Sequence, residues 1–334
     1  MYNLSLLDKS PVAEGDSPSI ALSNTIQIAT LAEKLGYERI WVAEHPGSNE
    51  LACSAPEIII SWILANTSRI QVGSGGVMLQ HYAPYKVAEV FNVLSSLAPG
   101  RVDLGVGKTP GGLPYSTAAL QAYRSSKPDF EQQLSELSAL LDQGHGHVSE
   151  RSSPYAGPKP DQGPRRYVLS ASPQSASLAA SHGWDFVFAG HLNGDAENMR
   201  TSLATFREQS GGRSAILGLA ALVSDTQAKA AELASQLKVF VVKLKNGTTQ
   251  LVGSPERGAE FARQSGTTEY TLEERRPTLL HGTAETVHQE LAYLAREHHI
   301  NEFMIDTPAV GHALRQRSIE LLADSRPRPA SQQY

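Results

Sequence analysis

Cysteine is almost missing from this chain. Cys53 is the only one in 334 residues, which excludes an internal disulfide and points to a reducing compartment. Long apolar runs are missing as well: no stretch approaches the ~18 residues that would cross a bilayer, and neither end carries a secretory leader pattern, so a cytoplasmic protein is expected. Positive charge is not in excess either. With 29 Lys and Arg against 34 Asp and Glu, the net charge is -5, which gives no basic footprint for nucleic acid. Metal-ligand spacing is absent too. His145 and His147 flank a glycine and His298-His299 close a helix, with no carboxylate or cysteine spaced to complete a site. The run Gly105-Val106-Gly107-Lys108 matches neither a P-loop nor a GxGxxG fingerprint. Nucleic acid, membrane, metal and nucleoside triphosphate all lack support, and a small-molecule ligand remains.

What is present is a βα rhythm in an ordinary globular composition, 40% hydrophobic and 19% charged. Strand-like runs at 4–8, 39–43, 69–79, 101–107, 167–171, 185–189, 215–223 and 302–305 alternate with helix-like stretches at 19–35, 55–66, 85–97, 130–142, 175–181, 196–208, 225–244 and 286–297. A Gly/Pro-rich loop spans 109–114, and 143–165 reads as a long surface loop. The polar segment 246–276 breaks the rhythm before the last unit. Eight apolar strands alternating with eight helices predict one closed (β/α)8 TIM barrel over 1–325 with a lid-like insertion at 246–276 and a flexible tail at 326–334; an open doubly wound sheet is the rival topology.

Parallel sheets bind ligands at the C-terminal tips of their strands. Ile40-Trp41-Val42-Ala43 ends in Glu44 and His45, an acid and an imidazole suited to proton transfer. Gln71-Val72-Gly73 ends in Ser74-Gly75-Gly76, where paired glycines let the backbone approach a planar ligand or simply form a bulge. Ser170-Ala171-Ser172-Pro173-Gln174-Ser175 lies at a strand-to-helix junction, where free N–H groups and hydroxyls serve a phosphate or a plain helix cap. Lys108 and Arg124 are candidates for the accompanying positive charge. Cys53, within Leu51-Ala52-Cys53-Ser54-Ala55-Pro56, is more simply a small buried filler than a nucleophile. Tyr82, Tyr85, Trp62 and Tyr115 are candidates for lining an apolar pocket, a role that core packing equally explains.

Taken in order, Trp41-Val42-Ala43-Glu44-His45, Val72-Gly73-Ser74-Gly75-Gly76-Val77-Met78-Leu79, Pro99-Gly100-Arg101-Val102-Asp103-Leu104-Gly105-Val106-Gly107 and Ser170-Ala171-Ser172-Pro173-Gln174-Ser175 resemble the luciferase-like flavin monooxygenase family. The subgroup that opens with a short strand and a Ser-Pro turn, here Leu6-Leu7-Asp8-Lys9-Ser10-Pro11, is the most similar. The resemblance implies a homodimeric barrel that receives reduced FMN from a separate flavin reductase. Oxygen then forms a C4a-peroxide that oxygenates a small organic substrate. It also implies that Gly75 and Gly76, often joined by a cis peptide, lie against the flavin ring. Ser170, Ser172, Gln174, Ser175, Lys108 and Arg124 would surround its phosphate end, with Ser74 beside the glycines. His45, with Glu44, would move protons, and 246–276 would be the lid. Pro46 and Gly47 stand where many relatives carry His or Asn beside the histidine, so the substrate side differs. Gly107 stands where light-emitting members carry cysteine, which argues against luminescence. An F420-dependent hydride-transfer enzyme and a non-catalytic flavin-binding protein are the alternatives.

Overall fold

The apolar runs become parallel strands whose alternate residues face opposite ways: toward the helices on one side, into a closed cylinder on the other. The computed structural model describes residues 2–123, 129–143, 154–191, 195–308 and 311–324; Arg124, His145, His147 and the tail lie outside them. Strands β1 (Asn3–Asp8), β2 (Arg39–Val42), β3 (Gln71–Ser74), β5 (Val102–Gly107), β6 (Arg165–Ser170), β7 (Asp185–Ala189), β8 (Ile216–Val223) and β13 (Glu302–Asp306) pair in parallel around a full circuit, closed by β7–β8, β8–β13 and β13–β1. The open sheet is thereby excluded. The third run divides at Gly75–Gly76, beyond which β4 (Val77–Met78) continues the pairing with β5. Surrounding helices include α1 (Pro18–Lys34), α2 (Pro56–Asn66), α3 (Pro84–Leu97), α5 (Phe130–Asp142), α6 (Pro173–Ser181), α7 (Ala196–Gln209), α8 (Gln227–Gln236) and α10 (Ala284–His298). Two further helices, α4 (Pro114–Leu120) and α11 (His312–Asp324), occupy segments that carry little helical periodicity.

Helix-facing strand residues such as Leu4, Ile40, Val42, Leu104, Phe186, Leu217 and Phe303 join the main apolar core. Their neighbours in sequence fill the cylinder. Leu7, Trp41, Tyr167, Val187, Ile216 and Met304 form an apolar layer across its middle. Beneath them, at the N-terminal end, Arg39 binds Asp103 at 2.7 Å and Glu302 at 2.5 Å, and Trp41 Nε1 donates to Asp103 at 2.8 Å. Three charges this deep persist because each has a partner. The barrel is thus plugged from below, and its open end is the C-terminal mouth.

The run expected to be one helix over 225–244 stops at Gln236. Val239-Phe240-Val241-Val242 is β-branched and aromatic, and the strand preference of those side chains wins. The result is β9 (Val239–Leu244), which pairs antiparallel with β10 (Thr249–Val252) and β11 (Tyr270–Arg275), with α9 (Pro255–Gln264) packed on them. Phe240, Val242, Leu244, Val252, Phe261 and Ala262 form a separate small core, into which Leu113 inserts from the start of α4. A short strand, β12 (Leu280–Gly282), returns the chain alongside β8. Among the described residues no helix is long and apolar enough to cross a membrane.

Candidate active site

The Gly75–Gly76 peptide is cis. Gly75 N–H donates to the Val42 carbonyl at 2.9 Å, and a Cβ built on Gly75 would stand 2.6 Å from Leu7 Cδ1 and 3.1 Å from Trp41 Cβ. A Cβ on Gly76 would stand 2.8 Å from the Gly105 carbonyl oxygen. No side chain fits at either position without displacing the barrel lining, so glycine is a packing requirement here. Ser74 is fully buried: its Oγ donates to the Gly105 carbonyl at 2.8 Å and accepts the Gly105 N–H at 3.1 Å. That hydroxyl bridges β3 and β5 and is spent there.

Glu44 is equally committed. One carboxylate oxygen accepts the Met78 N–H at 2.8 Å and the other accepts the Tyr82 hydroxyl at 2.6 Å. Burial raises the carboxyl to about 7 in spite of those two donors. Glu44 therefore clamps β4, just past the glycine pair, instead of standing free in the mouth as a second proton carrier. His45 is different. Its backbone N–H is tied to the Cys53 carbonyl at 2.8 Å, whereas its buried Nδ1 has no hydrogen-bond partner among the described residues. Burial, reinforced by the nearby Lys9 ammonium, lowers the imidazole to about 4, so at neutral pH the ring is uncharged and able to accept a proton.

The register sets the second half of the site. Val77 and Met78 pair with Val106 and Gly107, which in turn pair with Val168 and Leu169. The glycine pair thus lies level with Gly105 and Tyr167, two strand spacings or about 10 Å sideways from β6, and Ser170 stands three residues further along β6, nearer the rim. Past Ser170, Ser172 caps α6: its Oγ accepts the Ser175 N–H at 3.3 Å and donates to Ser175 Oγ at 3.0 Å, with Ser170 Oγ 3.4 Å away. Gln174 is exposed at the start of that helix and Lys108 is exposed just past Gly107. The plain capping role is real, and the hydroxyl cluster at a helix N-terminus also suits an anion. Arg124 lies outside the described residues.

Four aromatic candidates do not gather into a pocket. Trp62 is 63% exposed on the outer face of α2, Tyr115 is 56% exposed beneath Arg263, Tyr82 serves Glu44, and Tyr85 donates to the Tyr155 carbonyl. Cys53 is buried, and burial pushes its thiol up to about 12. A thiol so held is not a nucleophile.

Sequence reading missed three residues at the mouth. Lys9, one residue past β1, binds Asp306, the last residue of β13, at 2.5 Å. His191, two residues past β7, lies within electrostatic reach of both and of His45. Each follows an apolar strand, so the rule that singled out His45 applies to them as well.

The family model of luciferase-like monooxygenases matches residues 3–301, and the chain belongs to that family. It is 39% identical to N-acetyl-S-alkylcysteine monooxygenase of Bacillus subtilis (strain 168), over 97% of this chain and 98% of the relative. Among solved structures, apo-MsnO8 superposes with a TM-score of 0.78 at 29% identity, covering 97% and 98% of the two chains. Two more distant structures share the fold. One is a type II Baeyer–Villiger monooxygenase, the oxygenating constituent of 3,6-diketocamphane monooxygenase from Pseudomonas putida, in complex with FMN (TM-score 0.68, 15% identity, 96% and 97% covered). The other is an F420-dependent secondary alcohol dehydrogenase with an F420-acetone adduct (TM-score 0.66, 17% identity, 98% and 99% covered).

Proposed function

We propose that this chain is an FMN-dependent monooxygenase that takes reduced FMN from a separate reductase and uses molecular oxygen to oxygenate a small organic substrate. The observation that carries the reading is the layout of the mouth: Gly75–Gly76 lies two strands from β6, whose end at Ser170 stands three residues nearer the rim, with the start of α6 just beyond. That arrangement fits a planar ring joined to a phosphate. Ser170, Ser172, Gln174 and Ser175 would hold the phosphate end, together with Lys108 and Arg124, and the Gly75–Gly76 backbone would lie against the ring. When bound, reduced FMN supplies the electrons that activate oxygen. Glu44 orients β4, and with it the backbone the ring rests on. His45, neutral and with Nδ1 unpaired, accepts or returns a proton at the reacting ligand. The apolar layer of Leu7, Trp41 and Met304 seals the chamber from below and excludes water from that side.

The name of the Bacillus subtilis relative directs the first substrate trials to N-acetyl-S-alkylcysteines, in which a thioether sulfur would take the oxygen, beside aldehydes, alkanes and sulfonates. An outward apolar face supports the homodimer: Ile58 and Trp62 on α2 and Val93 and Leu97 on α3 are 62%, 63%, 43% and 72% exposed. The test is anaerobic titration with reduced FMN, followed by oxygen and a substrate panel. Saturable FMN uptake with substrate-dependent oxygen consumption is the expected result. Uptake of F420 in its place would assign hydride transfer, and FMN uptake without oxygen consumption beyond autoxidation would assign a binding protein.

A further inference from the structure

Four titratable side chains from four strand ends converge on the mouth: Lys9 past β1, His45 past β2, His191 past β7 and Asp306 at the end of β13. The Lys9–Asp306 pair is closed at 2.5 Å, with the two side chains 27% and 12% exposed. His191 resembles His45 in one respect that packing alone does not explain: its Nδ1 is also buried and also without a hydrogen-bond partner among the described residues. An unpaired buried polar atom costs about 1–3 kcal/mol, so two of them on rings that follow strands of the same mouth point to a ligand that completes them.

The backbone makes room for this second ring. A Cβ on Gly190 would stand 2.6 Å from the Gly218 carbonyl oxygen, and a Cβ on Gly218 would stand 3.0 Å from the Phe188 carbonyl oxygen and 3.2 Å from His191 Nδ1. Glycine at both positions lets the end of β7 press against β8, so that the imidazole lies directly over the Gly218 backbone.

We propose that His191 is a second proton-handling imidazole of this site, acting beside His45, and that the Lys9–Asp306 ion pair is the positioning element that governs both rings. The inference rests on the monooxygenase reading of the mouth. The groups that face the rings are few and work in known directions. Burial disfavours the imidazolium first, the Lys9 ammonium disfavours it further and Asp306 opposes both; the Ala43 backbone also favours the charged form at His45, and the His45 ring disfavours it at His191. The balance leaves each ring at about 4. Asp306 itself stays ionised against its burial because the Lys9 ammonium faces it, with Arg315 adding to the effect from its ion pair with Asp8. Both rings are thus neutral at physiological pH, each with one N–H and one lone pair. A proton taken from the bound ligand by one ring is stabilised there by Asp306 and returns to the ligand or leaves to water, with no change in electron count.

The test follows the imidazole C–H resonances of the whole chain by NMR across the acid range, with H45Q and H191Q providing the assignments. Both rings are expected to titrate more than one unit below the free value of about 6.5. Lys9→Met, which leaves Asp306 unpaired, should raise both together, and Asp306→Asn, which leaves Lys9 unpaired, should lower both further. Rings that titrate at the free value, or that ignore both substitutions, overturn the governing role of the ion pair. In enzyme loaded with reduced FMN, H191Q and the ring-displacing Gly218→Ala should each cut oxygen consumption roughly tenfold or more and reshape its pH profile, with FMN affinity within about twofold of wild type. An unchanged rate and profile in both overturns the proton role of His191. Failure of the wild-type chain to take up FMN overturns the cofactor reading and the proton role that depends on it, and leaves the ring titrations to decide the ion pair separately.

Discussion

The Glu44 carboxylate accepts the Met78 N–H at 2.8 Å, so the tip of β2 holds the strand that resumes after the Gly75–Gly76 peptide. Glu44→Ala leaves that N–H and the Tyr82 hydroxyl without their acceptor, at about 1–3 kcal/mol for each buried group. Glu44→Gln keeps one acceptor oxygen for Met78 and turns its amide to the Tyr82 oxygen, so it should cost markedly less. Thermal melts and FMN titrations of the two variants check this. Equal losses in both would show that charge, and not the clamp, is what matters at Glu44.

The glycine just past β3 and the one at the end of β5 should answer differently to alanine. At Gly75 the added methyl meets Leu7 at 2.6 Å and Trp41 at 3.1 Å, both fixed in the barrel interior, whereas at Gly107 it meets only the flexible Met78 terminus at 3.3 Å. Gly75→Ala is therefore expected to cost about 1–3 kcal/mol and to weaken FMN uptake, and Gly107→Ala well under that. Denaturant unfolding of the pair reads the contrast, and an equally tolerant Gly75 would remove the packing account of the diglycine.

Much of this was legible in the chain itself, for a physical reason. All eight barrel strands are short apolar runs bounded by glycine or charge, and such runs are read easily. His45 and the Ser170–Ser175 cluster stand out because polar residues at strand tips have no packing explanation. Where a side chain points is not written in spacing: Glu44 and Ser74 look like site residues, and only the fold shows their oxygens turned into the protein. Lys9, His191 and Asp306 depend on closure, which brings the first strand beside the last and sets the turn after β7 near both. Val239-Phe240-Val241-Val242 was absorbed into a helical period that its own branched side chains reject.

Acid should destabilise the mouth before the rest of the barrel. His45 and His191 are held at about 4 in the folded chain, against 6.5 for a free imidazole. The unfolded chain therefore binds more protons between those values, and the stability these rings contribute is whole above about 6.5 and lost as the pH falls toward about 4. Each ring accounts for up to about 3 kcal/mol of that loss, less for the two together because they are coupled. Glu44 acts with the opposite sign: its raised carboxyl, at about 7, favours the folded state more as the pH drops from 7 to 4.5. Melting temperatures of wild type, H45Q and H191Q across this window separate the contributions. Each glutamine variant should show a flatter acid limb, and an unaltered limb would contradict the burial of the rings.

The insertion is anchored to the loops that carry the candidate site, which makes its coupling to them measurable. Leu113 sits in its small core. Ser254 Oγ donates to Glu50 at 3.0 Å, and the Tyr115 N–H donates to Gln264 Oε1 at 2.9 Å. Glu50 belongs to the loop that begins at His45, so loosening the insertion should be felt at the imidazole. Leu113→Ala removes the apolar plug at a cost of about 2–5 kcal/mol. Most of that cost should fall on β9, β10 and β11 and not on the barrel, whose layers make no use of Leu113. Hydrogen exchange is the direct measurement: protection should drop across 239–275 and in the 45–51 loop while β1, β2 and β13 keep theirs. Uniform loss throughout the chain would show the insertion and barrel to be one cooperative unit, and would overturn the separate core as an independent unit.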